Sequence, residues 1–238
     1  MTTTMTEVAA KPARPSDRHL TAFDAVEKDS ASREPAWVLP LRKAGMARFA
    51  ELGFPTTKLE DWRFTNVAPI AKLPFIPAGG GEIDPGAPDK FAFSAIEGSR
   101  LVFVDGICST ELSQLEPQAE GVIVSNLANA LRESPELLEG HLGRHAQDAA
   151  NAFAAMNTAL FSDGAFIHVP AGKVVERPVR LLFISTAAEE GATTNVRNLI
   201  VAGANSQVTL IESHVALQDE AYFTNAVSEF EIGENATV

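Results

Sequence analysis

The sequence predicts an α+β chain in which a helical N-terminal part leads into a β-solenoid. Three observations predict it. Residues 36–52, "AWVLPLRKAGMARFAEL", carry apolar side chains at helical steps. After Gly164 the apolar period changes from helical to two. "GANSQV" at 203–208 returns as "GENATV" at 233–238, with Gly, Asn and Val in register at an offset of 30 residues. Gly172, in "VPAGKVV", lies a further 31 residues upstream. Self-similarity at such a period is the mark of stacked repeats. The competing architecture is a β-sandwich with two hairpins that resemble each other by chance.

Residues 1–19, "MTTTMTEVAAKPARPSDRHL" without its last leucine, form a polar, proline-containing leader that reads as flexible. Residues 20–73 read as a helical domain. Its first helix includes Leu20, Phe23 and Val26; its second places Val38, Leu41, Gly45, Phe49 and Leu52 on one face. Pro40 is expected to kink the first turn, and Gly53 with Pro55 stops the helix.

Residues 74–163 read as a linker followed by a small α/β region. The Gly/Pro-rich stretch at 75–91 is a loop. "LVFVDG" at 101–106 and "GVIVS" at 121–125 are short strands, and a helix follows from Asn126 with Ser125 as its cap. Ser134-Pro135 marks another helix start. Residues 148–160 form a helix with Phe153, Met156 and Leu160 as its buried stripe. Residues 164–238 begin the β core. Its segments "AFIHVP", "VVERPVRLLFIS", "NVRNLIVA", "QVTLIESHVAL" and "VSEFEIG" alternate as strands, with Gly and Asn at the corners because both accept left-handed backbone. The sequence ends within a repeat, so the solenoid is expected to be incomplete at its C-terminus.

Composition narrows the function classes. The 238 residues are 45% hydrophobic and 21% charged, as in a globular domain, and the formal net charge is −12. Residues 1–73 hold 11 Lys/Arg against 9 Asp/Glu; the remainder holds 8 against 22. An acidic body repels phosphate backbones, which argues against nucleic-acid binding. No apolar run is long enough to span a bilayer. The single cysteine, Cys108, fits a reducing compartment and cannot by itself ligate a stable cluster or structural zinc. The glycines at 79–81 have neither the preceding strand nor the Gly-Lys-Ser/Thr of a phosphate-binding loop.

The densest polar stretch is "KLEDWRFT" at 58–65, where Lys58, Glu60, Asp61 and Arg63 surround Trp62. No nucleophile with a base is present, so the stretch reads as a joint. Trp62 and Phe64 are expected on one side of an extended segment as anchors, with Lys58, Glu60 and Arg63 pairing locally or facing a partner. In "LIESHVAL", alternation puts Glu212 and His214 on one face. One Glu and one His make an incomplete metal set, and the pair reads as a solvated outer face. His141 and His145 lack the glutamate of a zinc hydrolase and, beside Gly140 and Gly143, read as surface residues. His168 stands alone. Cys108 reads as a partly buried small residue, and Glu189 with Glu190 as a solvated loop. No Gly-x-Ser-x-Gly elbow occurs.

These residues carry a family resemblance. "GFPTTKLEDWRFTNV" (53–67) resembles the segment after the N-terminal helices in the SufB/SufD family of iron–sulfur cluster assembly proteins, and its Lys-x-Glu-Asp-Trp pattern is similar to the SufD branch. "NAFAAMNTALFSDGAFIHVPAGKVVERPVRLLFIS" (151–185) and "NVRNLIVAGANSQVTLIESHVAL" (195–217) resemble the family's approach to its β core and one turn of it. The resemblance implies a right-handed parallel β-helix after the helical domain. It implies a scaffold without catalysis of its own, which pairs with a SufB-like protein through the β-helix and works with a SufC-like ATPase. The partner can also be a second copy in a homodimer. The chain is expected to bind no cofactor stably and to meet an iron–sulfur cluster only transiently in the assembled complex, in the cytoplasm. The family's C-terminal helical domain and late core strands have no counterpart here, so no functional residue is carried over. The alternatives are a β-solenoid enzyme acting on carbohydrate through Glu212 or other acids, and a pure protein-interaction module that adds strands at its edge.

Overall fold

The computed structural model describes residues 17–91, 93, 95–146 and 151–238; most of the expected leader, residues 1–16, lies outside them. Helix α1 (Asp17–Arg33) and helix α2 (Val38–Leu52) come first. Val38, Gly45 and Phe49 are buried, as the helical spacing predicts. Gly53, at φ 62°, ends α2 and donates its N–H to the Phe49 carbonyl. Helix α5 (Ala152–Leu160) crosses α2 so closely that a Cβ on Gly45 would sit 2.8 Å from the Ala155 carbonyl oxygen. Asn151 caps α5 by accepting the Phe153 and Ala154 N–H groups; the expected residues 148–150 lie outside the described ones. Arg42 of α2 closes the other end, donating to the carbonyls of Ala159 (3.1 Å) and Phe161 (2.9 Å) while paired with Glu34 at 2.6 Å. Phe23, Met46, Phe49, Met156 and Leu160 form the helical core.

The region between α2 and α5 contains strands and a helix where the small α/β region is expected, and its linker part holds short elements as well. It contains the short helix α3 (Ala68–Lys72), strand β1 (Ile76–Pro77), strands β2 (Arg100–Val104), β3 (Ile107–Cys108) and β4 (Ile123–Asn126), and helix α4 (Leu127–Glu133). β1 arises inside the Gly/Pro-rich stretch because it borrows the edge of a long strand, with Ile76 opposite Ala192. β2 and β3 form a hairpin through Asp105 (φ 48°) and Gly106 (φ 79°), the left-handed pair that a tight two-residue turn demands. Ser125 does not cap α4. Asn126 holds the cap position without a side-chain bond, and the Ala128 N–H goes to Asp163 Oδ1 at 2.9 Å. Ser134-Pro135 opens only a single 3-10 turn, Pro135–Leu137.

Five further strands follow: β5 (Ala165–Val169), β6 (Val179–Ser185), β7 (Ala192–Ala202), β8 (Leu210–Ala216) and β9 (Tyr222–Ile232). The fold class is α+β, with two mixed sheets. In one, β5, β7 and β9 run parallel, β1 shares the edge of β7, and β4 is antiparallel to β5. In the other, β2, β6 and β8 run parallel with β3 antiparallel to β2. β7 pairs with β9 along its whole length, Ala192 opposite Tyr222 to Ala202 opposite Ile232, and β6 pairs with β8 from Val179 opposite Leu210 to Ser185 opposite Ala216. Leu101, Phe103, Ile167, Leu181, Phe183, Val196 and Ile200 fill the space between the sheets.

The repeat glycines and asparagines have different reasons to be there. Asn205 (φ 57°) and Asn235 (φ 56°) take the left-handed corner, and Asn235 Nδ2 reaches Asn205 Oδ1 at 3.4 Å. Gly203 and Gly233 do not have positive φ. They lie against the preceding turn, where a Cβ would come within 2.5 Å of Ala171 N and 2.6 Å of Ala204 N respectively.

Candidate functional site

The Lys58–Thr65 stretch is not extended. Glu60–Trp62 is a 3-10 turn, closed by Trp62 N–H to Leu59 O and Arg63 N–H to Glu60 O. Its two aromatic residues part company. Trp62 is half-buried, its ring centroid 5.4 Å from that of Phe153 on α5, and Phe153 in turn lies 5.9 Å from Phe223 on β9. Phe64 is 93% exposed and anchors nothing; Arg63 lies over its ring at 5.5 Å. The structure therefore corrects the expected pair of anchors to one. Lys58, Glu60, Asp61 and Arg63 are exposed and form no ion pair among the described residues. The turn thus presents an uncovered phenylalanine and four charges on a base fixed by Trp62.

Glu212 and His214 do sit on one face of β8, with His214 Nε2 2.7 Å from Glu212 Oε1. Both side chains are exposed, at 36% and 38%, as a solvated pair requires, but the face they share is the one that continues the core. Their parallel partners are Leu181 and Phe183, both members of the core between the sheets. Phe103, Phe183 and His214 make a ladder of stacked rings, 4.7 Å apart at each step with interplanar angles of 17° and 14°. The spacing is that of neighbouring strands. His214 also borders a small pocket with Asp105, Thr194, Tyr222 and Thr224. Alternation alone places two residues on a common face; it does not say which way that face looks.

Cys108 is partly buried on β3, with its Sγ 3.9 Å from Ser113 Oγ. Burial, followed by the charge of Asp163, pushes its thiol up to about 11. Asp163 is buried and gathers three chain segments, accepting the N–H groups of Cys108 (3.1 Å), Ala128 (2.9 Å) and Gly164 (2.9 Å) and the Asn126 amide. Burial pushes its carboxyl up, against the pull of those donors. This is a structural knot around a partly buried thiol. His168 contacts the Gly121 carbonyl at 3.3 Å.

A second densely connected polar group is one that sequence reading missed. Arg197 on β7 and Glu229 on β9 form a buried ion pair, with Arg197 Nη2 2.7 Å and Nε 2.9 Å from Glu229 Oε1. Arg197 Nη1 also donates to Asn157 Oδ1 and Thr158 Oγ1 of α5. Burial lowers the Arg197 pKa and Glu229 opposes that shift. Glu229 further accepts the N–H groups of Gly143 (2.8 Å), His145 (2.8 Å) and Ala146 (3.1 Å). Two residues along, Glu231 meets His141 Nδ1 at 2.7 Å, Arg144 at 3.3 Å and His145 Nε2 at 3.6 Å. His141 and His145 are thus brought together on one carboxylate and are not free surface residues. The 30-residue repeat contained the signal: it aligns Leu199 with Glu229, two positions from Arg197 on the same face of the strand.

Comparison with known proteins resolves what these pieces belong to. The family model described as the SufBD protein N-terminal region matches residues 15–181, and that of the SUF system FeS cluster assembly SufBD core domain matches residues 183–238. The chain belongs to the SufBD family. Among its SufBD relatives, an iron-sulfur cluster assembly SufBD family protein of Synechocystis is 30% identical over 83% of this chain and 45% of its own length. A chloroplastic SufBD family protein of Arabidopsis thaliana is 33% identical over 86% of this chain and 39% of its own. The iron-sulfur cluster assembly protein SufD of Bacillus subtilis is 29% identical over 87% and 48%. The chain spans less than half the length of these SufBD relatives. The boundary between the two family regions falls inside β6, so the core region takes in β7, β8 and β9 with the Glu212–His214 pair, while Trp62, Cys108 and α5 lie in the N-terminal region. Among the described residues no helix is long and apolar enough to cross a membrane, and no cluster of three or more His, Cys, Asp or Glu residues is arranged to hold a metal ion.

Proposed function

We propose that this chain is a scaffold subunit of SUF iron–sulfur cluster assembly. In this reading its parallel ladders are the first rungs of a right-handed β-helix, and that β-helix pairs with a SufB-like protein while a SufC-like ATPase supplies the work. The observation that carries the reading is the in-register parallel pairing of β7 with β9 and of β6 with β8, at offsets of 30 and 31 residues, within a chain of the SufBD family. Stacked strands at that spacing build a long, flat-sided surface suited to docking another such stack.

The cluster is cargo in this scheme and not a resident cofactor. One partly buried cysteine with its thiol pushed up to about 11 is a poor thiolate donor, so most cluster ligands come from another chain. A chain of this kind performs no reaction alone and works in the reducing environment of the cytoplasm. Phe64, with Arg63 over its ring, is offered as a contact for the assembly and Trp62 as the residue that fixes the contact loop.

The test is co-expression with a SufB-like and a SufC-like protein, followed by purification on a tag carried by this chain. A complex that accumulates a cluster, from a chain that holds no stoichiometric cluster alone, supports the scaffold. Stoichiometric cluster absorbance on the isolated chain, abolished by Cys108→Ser, overturns it; so does glycan cleavage by the isolated chain.

A further inference from the structure

We propose that Arg100 and Arg180 hold a small inorganic anion, of the charge and size of chloride, on the face of the β2–β6–β8 sheet turned away from the core between the sheets. The strand register brings the two arginines together. Arg100 lies directly opposite Arg180 on the neighbouring parallel strand, and Ile211 of β8 completes the row. Neighbouring strands are about 4.8 Å apart, and like charges set opposite each other at that spacing repel. Neither group can escape by losing its proton, because arginine stays charged in proteins. Water does little to screen them: Arg180 is 8% exposed and the Arg100 side chain 15%.

The carboxylates nearby do not balance the two charges. Asp89, in the 3-10 turn Ala87–Lys90, meets Arg100 Nη1 at 2.7 Å, but its own side chain is 68% exposed. Arg100 Nη2 reaches only the Leu112 carbonyl, at 3.4 Å, and Arg100 Nε is buried without a hydrogen-bond partner among the described residues. Arg180 donates to the carbonyls of Phe93 (3.1 Å) and Gly98 (3.2 Å), which are neutral acceptors. Burial first and the Arg100 charge second lower the Arg180 pKa, against the weaker pull of Asp89 and Glu116. Glu116 is already engaged by Arg177 at 2.9 Å. The loop that carries these carbonyls is pressed onto β6: Gly98 has φ 130°, and a Cβ there would lie 2.2 Å from the Pro178 carbonyl oxygen. Between loop and sheet is a pocket of about 20 Å³, lined by both guanidinium-bearing residues with Pro88, Phe93, Leu182 and Ser213. That is room for one water-sized species. A monovalent anion there supplies the charge that the pair lacks and ties the loop to the strands through both arginines.

Thermal unfolding of the full chain in sodium chloride, against sodium gluconate at equal ionic strength, tests this. Screening is then the same in both salts, and gluconate is too bulky for the pocket. The melting temperature is expected to rise saturably with chloride, by about 3–6 °C at ten times the dissociation constant. Arg100→Gln is expected to abolish the difference between the salts, whereas Arg177→Gln, which removes an exposed arginine outside the pocket, leaves it intact. Asp89→Asn takes away the competing carboxylate and is expected to lower the chloride concentration of half-effect about two- to fivefold, the range of an exposed ion pair. Because Asp89 is exposed, that variant keeps the site testable even where Arg100→Gln does not fold. Equal melting temperatures in the two salts for the unaltered chain overturn the proposal. So does a chloride effect that survives Arg100→Gln, or one that Asp89→Asn leaves unchanged.

Discussion

Replacing Glu229 by alanine isolates the contribution of the buried charge pair. Both partners are 1% exposed at the side chain, so the variant leaves the Arg197 guanidinium buried beside Asn157 and Thr158 without a counter-charge. Removing one partner of a buried pair costs about 3–5 kcal/mol, because the remaining charge keeps its desolvation penalty. The N–H groups of Gly143, His145 and Ala146 lose their acceptor as well; water can replace it at His145 and Ala146, which are nearer the surface, whereas the Gly143 N–H is buried and adds to that figure. For a chain of this size each kcal/mol lowers the melting temperature by roughly 2–4 °C, which puts the expected drop at about 6–20 °C. Urea unfolding should show a lower midpoint with an unchanged slope. The double variant Arg197→Met with Glu229→Leu removes both charges and is expected to be more stable than Glu229→Ala, since no uncompensated charge remains. A loss below about 1 kcal/mol in Glu229→Ala, the scale of an exposed pair, would mean that the pair is solvated, and the buried seam between β7, β9 and α5 would have to be abandoned.

Trp62→Ala is expected to cost about 2 kcal/mol through lost contact with Phe153, whereas Phe64→Ser should change stability by less than about 0.5 kcal/mol and weaken only assembly; thermal unfolding and co-purification separate the two. Gly203→Ala should destabilise by about 1–3 kcal/mol because its Cβ would meet the backbone of the preceding turn, while Gly172→Ala, at φ 72° with open space around it, should cost about 1 kcal/mol from backbone strain alone. With its thiol pushed up to about 11, Cys108 should alkylate at neutral pH roughly 100-fold more slowly than an ordinary cysteine, and its rate should keep rising with pH past the point at which a free thiol levels off. A plateau near the free-cysteine value would show that the site is open to solvent.

The parts of this fold that were readable in the sequence are those set by neighbours along the chain. Gly53 and Pro55 stop α2, the apolar run at 101–104 marks β2, and period-two alternation marks β5 to β9, whereas the Asp105-Gly106 hairpin turn reads as the end of a strand. Contacts set by stacking were less readable. β1 lies in a Gly/Pro-rich stretch with no strand propensity and exists because β7 is longer than β5 and leaves an edge to fill. Glu212 and His214 share a face by alternation, but only their pairing with Leu181 and Phe183 shows that this face continues the core, and both stay exposed because β8 is the edge strand of its sheet. Trp62 and Phe64, two aromatics in one short stretch, differ because the 3-10 turn directs one ring to Phe153 and the other to solvent. The Arg197–Glu229 pair joins positions 32 residues apart, and its partners become visible only once the offset between β7 and β9 is known.

That offset is held by side chains as well as by the backbone ladder, and α5 is the element that holds it. Hydrophobic strands with alternating faces can slip in steps of two without turning any side chain to the wrong face, so apolar burial alone specifies such a register weakly. Asn157 removes the ambiguity. Its amide donates to the carbonyl of Val196 on β7 and to that of Asn225 on β9, both at 2.8 Å, while its oxygen accepts from Arg197. Asn225 returns a bond to the Phe153 carbonyl of α5 and another to Asn195, its partner on β7. Asn198 continues the pattern across three strands, accepting from Ala165 N–H and donating to Ser228. A slip by two residues would break each of these bonds and leave buried amides and a buried guanidinium without partners, at about 1–3 kcal/mol for each neutral group. The helical part of the chain therefore acts as a gauge for the strands. Asparagines in β7, which look out of place in a buried strand, are there because register and not burial is what they supply.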